Sequence, residues 1–497
     1  MPQLSVIDLA MFLLESPERP FNIGPLVLLR PPEGARRFAE RLVARMLKIE
    51  PGPPFNYRLA LSLTRLPSVE PMPDARASDQ VHRIRLGGKA SVDDLIAKVC
   101  ELHETPLPRT GLLWQFYVID GLADGRVALY GKVHHGIIDG RSFVRVVSQW
   151  FSTDPADKQV RAMWQGASVP VSKRPALKST GPGTQQNDAG LLSSQWHKIA
   201  GMAGGLLGLY RMLAAQASRH LGRGGQALDL PFVHVPDVLS GVASAKRCYA
   251  FTSLPLDNLK AMGQGMEATV NDVLLAVLDG ALARHLAEQS SQPGRPLVVD
   301  MPVALTGAAG GNQIAVLQLS LGEPGASPLQ RLAAIVEETA RVKAVVRDNG
   351  SQAVMLYTTL VHALPTLLER VGIERPLRIS NVLFSNPFGL PARCWLMGAE
   401  VELALPMSVV TAGQMLNVTA VTLDNRVQIG LLGIPDAVDR IDRLAVHIAA
   451  AHQALKAAVA DKGRRRPRAS KKAAAHAQAA SASALDEKRI ARHGRAH

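Results

Sequence analysis

The segment HHGIIDG, residues 134–140, follows a predicted strand and precedes a predicted helix. Residues 126–135 alternate in character as a strand with two unlike faces does, and Asp-Gly turn signals pair this strand with the run from Gly111 to Asp120. After residue 140 the apolar residues return at helical spacing. The local unit is therefore a strand, a tight polar loop and a helix, with both histidines at the end of the strand.

The two histidines suit acid–base chemistry. Neighbouring strand residues point to opposite faces, so only one of His134 and His135 can address a given channel while the other packs behind it. An imidazole with an ordinary pKa of about 6.5 is mostly neutral at pH 7, as a general base must be. Asp139 can hold the loop by hydrogen-bonding its backbone or pairing with an arginine, and Gly140 lets the chain enter the helix without Cβ strain.

Two other interpretations of the histidine pair are metal ligation and a purely structural role. Adjacent strand histidines do not easily ligate one ion, and no nearby Cys/His/Asp cluster completes a site, so we expect no metal. The pattern H-H-x-x-x-D-G arises by chance in roughly one such chain in a thousand, which favours a chemical role. The signatures G-x-S-x-G, H-E-x-x-H and G-x-x-x-x-G-K-[ST] do not occur, so serine hydrolases, zincins and P-loop NTPases lose support.

The composition narrows the function classes further. Of 497 residues, 47% are hydrophobic and 20% charged, as in a globular protein with a large core. Residues 462–497 contain eleven Lys or Arg and two Asp or Glu, so +9 of the net charge of +14 lies there and the remaining chain is weakly basic. Aromatic residues are only 4%, and we expect no nucleic-acid partner. Cys100, Cys248 and Cys394 are too far apart for a disulfide framework or zinc knuckle and favour a reducing cytoplasm.

Alternating strand and helix patterns predict an α/β (α+β) fold class in two large units. We expect an N-terminal unit at 1–151, a linker and crossover helix at 152–244, a second α/β unit at 245–461, and a disordered basic tail at 462–497. The linker assignment rests on Pro, Gly, Ser and Lys without sustained periodicity, and the tail assignment on low apolar content.

An apolar, glycine-bearing helix is predicted at 191–221. It packs on the protein itself or, in the alternative, lies on a lipid surface as an interfacial helix. Its uncharged stretch from Ile199 to Tyr210 is too short to span a bilayer, and the N-terminus lacks the basic region and cleavage site of a signal peptide.

At the histidine pair the sequence resembles a known family. The motif H-H-x-x-x-D-G is the active-site motif of CoA-dependent acyltransferases, from chloramphenicol acetyltransferase-like enzymes to nonribosomal condensation domains. The wider context is similar to the bacterial wax ester synthase/acyl-CoA:diacylglycerol acyltransferase family, from Leu4 to about Leu455. The supporting motifs, in chain order, are IDLAMFLLE at 7–15, LW at 113–114, DGLADGRVAL at 120–129, TVNDV at 269–273, GN at 311–312 and SNV at 380–382.

This resemblance implies two chloramphenicol-acetyltransferase-like lobes with a substrate channel between them. His135 would be the base, and Asn271 and Asp272 would match the family's Asn-Asp motif, in which the asparagine lies near the active centre. A helix N-cap explains this pair equally well. The chain departs from the family pattern at Leu112 and within 301–304 and 383–386, which bears on substrate preference more than on chemistry.

The resemblance further implies an O-acyltransferase that moves a long-chain acyl group from acyl-CoA to diacylglycerol, a long-chain alcohol or both, without a tightly bound cofactor. No covalent acyl-enzyme is needed, because thioester and alcohol can meet in one channel and no activated Ser or Cys neighbours the motif. The alternatives are a different hydroxyl acceptor and a non-catalytic lipid-surface protein of the same fold. Because such substrates live in lipid, we expect a cytoplasmic protein held peripherally on a membrane or lipid droplet.

Overall fold

The computed structural model describes residues 6–60, 67–138, 140–166, 188–223, 227–305, 314–373, 377–387, 389–390 and 392–464. The helices are α1 (Val6–Leu14), α2 (Phe38–Met46), α3 (Val92–Glu104), α4 (Gly140–Trp150), α5 (Asp188–His220), α6 (Leu256–Gln264), α7 (Val270–Glu288), α8 (Pro328–Arg370) and α9 (441–464). The strands are β1 (Asn22–Arg30), β2 (Tyr57–Ala60), β3 (Ser68–Pro71), β4 (Val81–Ala90), β5 (Trp114–Leu122), β6 (Val127–His134), β7 (Cys248–Pro255), β8 (Val298–Ala304), β9 (Ile314–Ser320), β10 (Val382–Ser385), β11 (Trp395–Leu396), β12 (Ala399–Met407), β13 (Leu416–Leu423) and β14 (Arg426–Gly433).

Two six-stranded mixed sheets organise these elements. The first has the strand order β11-β12-β1-β6-β5-β4, and the second has the order β7-β14-β13-β10-β8-β9. Strand β6 lies between β1 and β5 and is antiparallel to both. All eight of its residues are buried, because both faces of the strand are covered. The histidine stretch therefore emerges from the interior of the first sheet, where neighbouring strands fix its backbone.

The first sheet takes two strands from far along the chain. Strand β12 pairs antiparallel with β1, from Gly24 opposite Met407 to Arg30 opposite Glu400, and β11 extends the edge. Residues 395–407 thus complete a sheet whose other strands lie before residue 135. Because this segment belongs to the first sheet and lies between β10 and β13 of the second, neither sheet is built from one continuous stretch of the chain.

Helix α8 is longer than the sequence pattern predicts. Helical spacing in the sequence predicts a helix from Pro328 to Val346. In the structure α8 continues to Arg370 across a break at Gly350, whose φ of 75° and ψ of 155° are not helical. Gly350 and Pro365 are both poor helix formers. The second part of the helix carries apolar residues on its buried and its exposed sides, so its sequence shows little helical periodicity. Packing against α5, α7 and β9 holds it in place.

The predicted mixed α/β class with two sheet-based units is confirmed. The hairpin of β5 and β6 and helices α4 and α5 lie where the sequence placed them, within a few residues. Much of the predicted linker, at 167–187, and the tail from 465 onward lie outside the described residues. Among the helices that are described, none is long and apolar enough to cross a membrane.

We predict that Gly24→Ala destabilises the first sheet. A Cβ at position 24 would lie 1.6 Å from the carbonyl oxygen of Gly131, so β1 and β6 would have to separate beside the histidine stretch. Overpacking of this kind costs about 1–3 kcal/mol or more of the free energy of unfolding, measurable by denaturant titration. Gly87→Ala is the matched control, since nothing lies within 4 Å of its Cβ position. An equal loss of stability in Gly24→Ala and Gly87→Ala would contradict the close approach of β1 and β6 at Gly24.

Candidate active site

The end of β6 is fixed by hydrogen bonds on both sides. The N–H of His134 donates to the carbonyl of Leu113 at 2.9 Å, and the N–H of His135 donates to the carbonyl of Phe21 at 2.8 Å. His135–Ile137 then form a single 3₁₀ turn before α4 begins at Gly140. Hydrogen bonds to the segments at Leu113 and Phe21 therefore fix the backbone where the turn begins.

The ring of His134 is buried and held on three sides. It is 1% exposed and stacks on Phe12 with ring centroids 4.1 Å apart and planes 1° from parallel. Its Nδ1 accepts the N–H of Gly136 at 3.0 Å, so the ring proton of the neutral form is on Nε2. Nε2 lies 3.6 Å from Oε1 of Glu15. His134 is thereby locked in one tautomer and one orientation.

Residue 136 must be glycine for this packing. A Cβ there would lie 2.7 Å from Phe12 Cε2 and 3.1 Å from His134 Nδ1. Any larger residue would push apart the stacked rings that define the turn. The requirement for glycine at residue 136 is therefore steric.

Glu15 is a buried carboxylate that faces His134. It is 5% exposed, its Oε1 accepts the N–H of Phe21 at 3.1 Å, and its Oε2 lies 3.4 Å from Nη2 of Arg109. Burial alone would raise the pKa of Glu15, but His134, the Phe21 N–H and Arg109 together hold that pKa below its ordinary value. Glu15 is therefore ionised beside the locked imidazole. Arg370 at the end of α8 also donates to its backbone carbonyl at 3.1 Å.

His135 differs from its neighbour in exposure, since it is partly exposed and His134 is buried. The prediction that both histidines end the strand is wrong for His135, which is the first residue of the 3₁₀ turn, so strand alternation does not account for this difference. The role of His135 as a base stays a prediction at this point. Asp139, the acidic residue of the motif, lies outside the described residues, and Gly140 is the first residue of α4.

Asn271 and Asp272 belong to the start of α7. Thr269 is the N-cap, and Asp272 is its capping-box partner, with the Thr269 hydroxyl donating to Asp272 Oδ2 at 2.7 Å. The second carboxylate oxygen of Asp272 accepts the hydroxyl of Thr339 at 2.9 Å. Asn271 Nδ2 lies 3.2 Å from the sulfur of Met301 on β8. The helix-capping interpretation therefore holds for Asp272, with Thr269 as the cap residue itself.

Behind the histidine stretch, polar side chains join β1 and β6 to the carboxyl end of α3. Asn22, which pairs with His134 across the sheet, donates from Nδ2 to the carbonyls of His103 and Thr105 at 3.0 and 2.9 Å. Lys132 donates to the carbonyl of Leu102 at 2.8 Å. These donors satisfy helix-end carbonyls and complement the negative end of the helix dipole. Burial lowers the pKa of Lys132 to about 8.

His103 connects this region to the second half of the chain. Its Nε2 lies 2.8 Å from the carbonyl of Ser408, which can only accept, so Nε2 carries the proton and Nδ1 accepts the hydroxyl of Tyr130 at 2.6 Å. Burial is the largest of the causes that lower the pKa of His103 to about 3. The residue is therefore a neutral, structural histidine.

Sequence reasoning missed several residues of this site. Glu15 was recognised only as the end of a family motif, while Arg109, Asn22 and Lys132 were not singled out at all. The available signal was an isolated polar residue within or beside an apolar strand or helix, which shows that a partner is needed but not which one. In the described part of the chain, no three His, Cys, Asp or Glu residues are arranged to hold a metal ion.

Two family models match this chain, and similar proteins are known from bacteria. Residues 4–274 match the model of the wax ester synthase/diacylglycerol acyltransferase catalytic domain, and residues 310–456 match that of the WS/DGAT C-terminal domain. A probable diacylglycerol O-acyltransferase of Mycobacterium tuberculosis is 30% identical over 454 residues, which cover 90% of this chain and 94% of that protein. Another from the same species is 32% identical over 473 residues, covering 90% and 98%.

Two solved structures share the fold. The wax ester synthase/diacylglycerol acyltransferase from Marinobacter aquaeolei VT8 superposes with a TM-score of 0.68 at 22% identity, covering 92% of this chain and 100% of that chain. The first condensation domain of the CDA synthetase gives a TM-score of 0.55 at 17% identity, covering 92% and 96%. The two-sheet architecture is thus common to both groups.

Glu15→Gln should lower stability in a pH-dependent way. A carboxyl whose folded pKa lies below its ordinary value of 4.5 stabilises the fold above that value, and the contribution is lost as pH falls through the folded pKa. The difference in free energy of unfolding between wild type and Glu15→Gln should therefore be largest near neutral pH and shrink in acid. Glu33→Gln, at an exposed position, is the control. If the difference in free energy of unfolding between wild type and Glu15→Gln did not change with pH, the charge of Glu15 would not contribute to stability.

Proposed function

Because the chain belongs to the wax ester synthase/diacylglycerol acyltransferase family and is an acyl-CoA-dependent O-acyltransferase, we propose that it transfers a long-chain acyl group to diacylglycerol, a long-chain alcohol or both. The products are triacylglycerol, wax ester or both. The observation that carries this proposal is the turn after β6, where one imidazole is locked and the next is partly exposed. A different hydroxyl acceptor is the alternative.

The chemistry we propose is a direct transfer with His135 as general base. His135 takes the proton of the acceptor hydroxyl as its oxygen attacks the thioester carbonyl of acyl-CoA. The resulting tetrahedral oxyanion collapses, the C–S bond breaks, and the CoA thiolate leaves and takes the proton back from the imidazolium. The ester oxygen comes from the acceptor, and the enzyme returns to its starting protonation state.

The cysteines support a route without an acyl-enzyme on sulfur. Burial raises the pKa of the Cys100 thiol to about 12 and those of Cys248 and Cys394 to about 11. A thiol with such a pKa is almost entirely protonated at pH 7 and is a poor nucleophile. The three residues are also spread over α3, β7 and the segment before β11 rather than gathered at the histidine turn.

In this mechanism His134 and Glu15 are positioning residues. The stacked ring of His134 and the Gly136 N–H define the turn, and the ionised Glu15 lies 3.6 Å from Nε2 of His134. His135 follows directly on the chain, so its ring position depends on theirs. We propose that Asp139 keeps the loop geometry and takes no part in proton transfer.

We further propose that the enzyme works in the cytoplasm and reaches its substrates peripherally at a membrane or lipid droplet. Diacylglycerol and long-chain alcohols partition into lipid, so an enzyme that uses them gains by residing at that surface. The basic residues 462–497 could add electrostatic attraction of about 1 kcal/mol for each Lys or Arg near an anionic surface. No bound cofactor is required for this reaction, since acyl-CoA arrives as a co-substrate.

An acceptor panel tests the function. The full chain would be incubated with a labelled long-chain acyl-CoA and, separately, diacylglycerol, a long-chain alcohol and a short water-soluble alcohol, and the products separated by thin-layer chromatography. We expect labelled triacylglycerol, wax ester or both. Acylation of none of these acceptors, at any chain length of the donor, would contradict the proposal.

His135→Ala should lose roughly 10²–10⁴-fold in kcat, the usual contribution of a general base, with little change in folding. His134→Ala should instead lower both stability and activity, because it removes the stacking on Phe12 and leaves the Glu15 carboxylate buried without its imidazole partner. Thermal unfolding and initial rates on the same preparations separate the two effects. Wild-type turnover in His135→Ala would exclude the base mechanism.

Asp139→Ala should reduce folding yield and activity together, since a loop partner loses its hydrogen bond. Soluble yield, melting temperature and kcat are the measurements. A fully stable variant that lacks activity would assign Asp139 a direct part in the reaction.

A further inference from the structure

A buried carboxylate in the second sheet is held by donors from three other parts of the chain. Asp300 lies on β8 and is fully buried. Its Oδ1 accepts a side-chain N–H of Gln318 on β9 at 2.7 Å, and its Oδ2 accepts one from Gln414, in the segment before β13. Nε2 of His362 on α8 lies 3.0 Å from the same Oδ2. Asp300 therefore joins β8, β9, α8 and the segment before β13.

Both ring nitrogens of His362 face oxygen atoms that accept hydrogen bonds. Nε2 faces the Asp300 carboxylate, and Nδ1 lies 2.8 Å from the backbone carbonyl of Thr358, one turn earlier on α8. A neutral imidazole has one N–H and can donate to only one of the two, whereas an imidazolium donates to both. Hydrogen bonds from two amides stabilise the carboxylate as well. The geometry is therefore that of a buried ion pair.

The charge of His362 depends on Asp300. Burial alone would lower the pKa of the imidazole, but the charge of Asp300 and the hydrogen bonds to Asp300 and Thr358 raise that pKa above its ordinary value of 6.5. With a raised pKa, the ion pair stabilises the fold fully below pH 6.5, and this contribution is lost as pH rises through the folded pKa. The side chain of His362 is 23% exposed, so its proton can exchange with solvent while the helix stays folded.

Helix α5 packs on the side of α8 that faces away from His362. A Cβ at Gly208 of α5 would lie 2.6 Å from the Cβ of Ala353. His362 follows Ala353 by nine residues, about two and a half helical turns, and so lies on the opposite side of the helix. The contact with Asp300 is therefore made on the far side of α8 from α5.

Four other carboxylates near α8 have partners of their own. These pairs are Asp229–Arg219, Asp272–Thr339, Asp279–Arg331 and Glu369–Arg19. Thr339 and Arg331 lie before the break at Gly350, and Asp229 acts on the buried Tyr357. Glu369 shares the face of His362 but lies two turns further along α8. Asp300 is thus the described carboxylate that contacts the ring of His362.

The ion pair fixes the second part of α8, residues 351–370, to the second sheet. This part follows the break at Gly350, where φ is 75° and nothing lies within 4 Å of a Cβ position. Glycine adopts this conformation without Cβ strain, so the two parts of α8 are free to differ in direction. The second part therefore depends on its own contacts for its position, and the contact of His362 with Asp300 is one of them.

The second part of α8 ends at the candidate active site. Glu369 accepts Nε and Nη2 of Arg19 at 2.7 Å each, and Arg370 donates to the backbone carbonyl of Glu15 at 3.1 Å. Glu15 in turn faces His134. A shift of this part of the helix would therefore reach the residues that support the histidine turn.

We propose that the Asp300–His362 ion pair positions the end of α8 for acyl transfer, and that transfer slows when His362 loses its proton. This rests on the proposed function, because the position of Glu15 matters only if the histidine turn carries the reaction. His362 and Asp300 are positioning residues, since both ring nitrogens of His362 are used within the protein. The general-base mechanism at His135 does not by itself contain such an alkaline limit.

Hydrogen–deuterium exchange tests the positioning without substrate. Full-length wild type and His362→Gln are compared at pH 6.5 and again at pH 9, so that intrinsic exchange cancels within each pair. At pH 6.5 residues 351–370 and the segment around Glu15 should exchange faster in the variant, roughly tenfold for each unit by which the pKa of His362 is raised. At pH 9 the two proteins should exchange alike. Equal exchange at pH 6.5 would overturn the proposal.

His447→Gln is the matched control. Nε2 of His447 on α9 lies 2.6 Å from Oε2 of Glu288, so this variant also loses a contact between histidine and a carboxylate, but at a site away from α8. It should leave exchange in residues 351–370 and around Glu15 unchanged. An equal effect of His447→Gln on these segments would show that the response is not specific to His362, which would overturn the proposal.

The pH profile of kcat tests the role in the reaction. Wild type should decline at alkaline pH, and His362→Gln should lack this decline because its kcat is already reduced roughly tenfold or more at pH 6.5, with KM little changed. His362→Lys keeps a cation to about pH 10 and should restore kcat and hold it at pH 9. His447→Gln should follow the wild-type profile.

Three results in this profile would contradict the proposal. One is a wild-type kcat without an alkaline decline. Another is a decline that persists in His362→Gln, which would belong to a different group such as Lys132, whose pKa is about 8. The third is a kcat in His362→Gln that is lower by the same factor at every pH, as lost packing predicts. A wild type that acylates no acceptor would reject the proposed function, and the exchange experiment would then still decide whether the ion pair holds α8.

Discussion

The contact between His134 and its three neighbours is the constraint on which the rest of the site depends. A buried imidazole costs free energy unless its polar atoms have partners, and here Gly136 supplies the donor to Nδ1, Glu15 faces Nε2, and Phe12 covers one ring face. If the ring rotated or Nδ1 carried the proton, the N–H of Gly136 would lose its acceptor. These contacts therefore also fix the backbone position of the next residue, His135.

The same contacts join distant parts of the chain. Glu15 comes from the segment after α1, and its carbonyl receives Arg370 from the end of α8. The paired Arg19 and Glu369 are 350 positions apart and are linked by two hydrogen bonds of 2.7 Å. His103 reaches Ser408 in the loop after β12, a strand of the first sheet. The histidine turn is therefore supported by contacts from both halves of the chain, which is where we propose that the transfer takes place.

Local sequence was sufficient for the elements around the motif. The alternation in 126–135, the turn signals at 120–126 and the helical spacing after Gly140 are local properties, and β5, β6 and α4 follow them. The motif itself identified the histidines. The pairing of Asn22 with His134 and that of β12 with β1 could not be predicted from the sequence. These contacts join segments that are distant along the chain, and no local sequence pattern indicates them. The extension of α8 beyond Gly350 was missed for a different reason. A helix with apolar residues on its solvent side lacks the alternation of apolar and polar faces by which an amphipathic helix is predicted.

The assignment of transfer chemistry to the histidine turn can be tested in a single turnover. Enzyme in excess would be mixed with labelled acyl-CoA and acceptor, quenched over time, and assayed for free CoA, acylated product and label retained on the denatured protein. Direct transfer assisted by His135 predicts CoA and product in equal amounts, no label on protein, and a much slower transfer step in His135→Gln. Label accumulating on the protein before product forms, or an unchanged transfer step in His135→Gln, would contradict it.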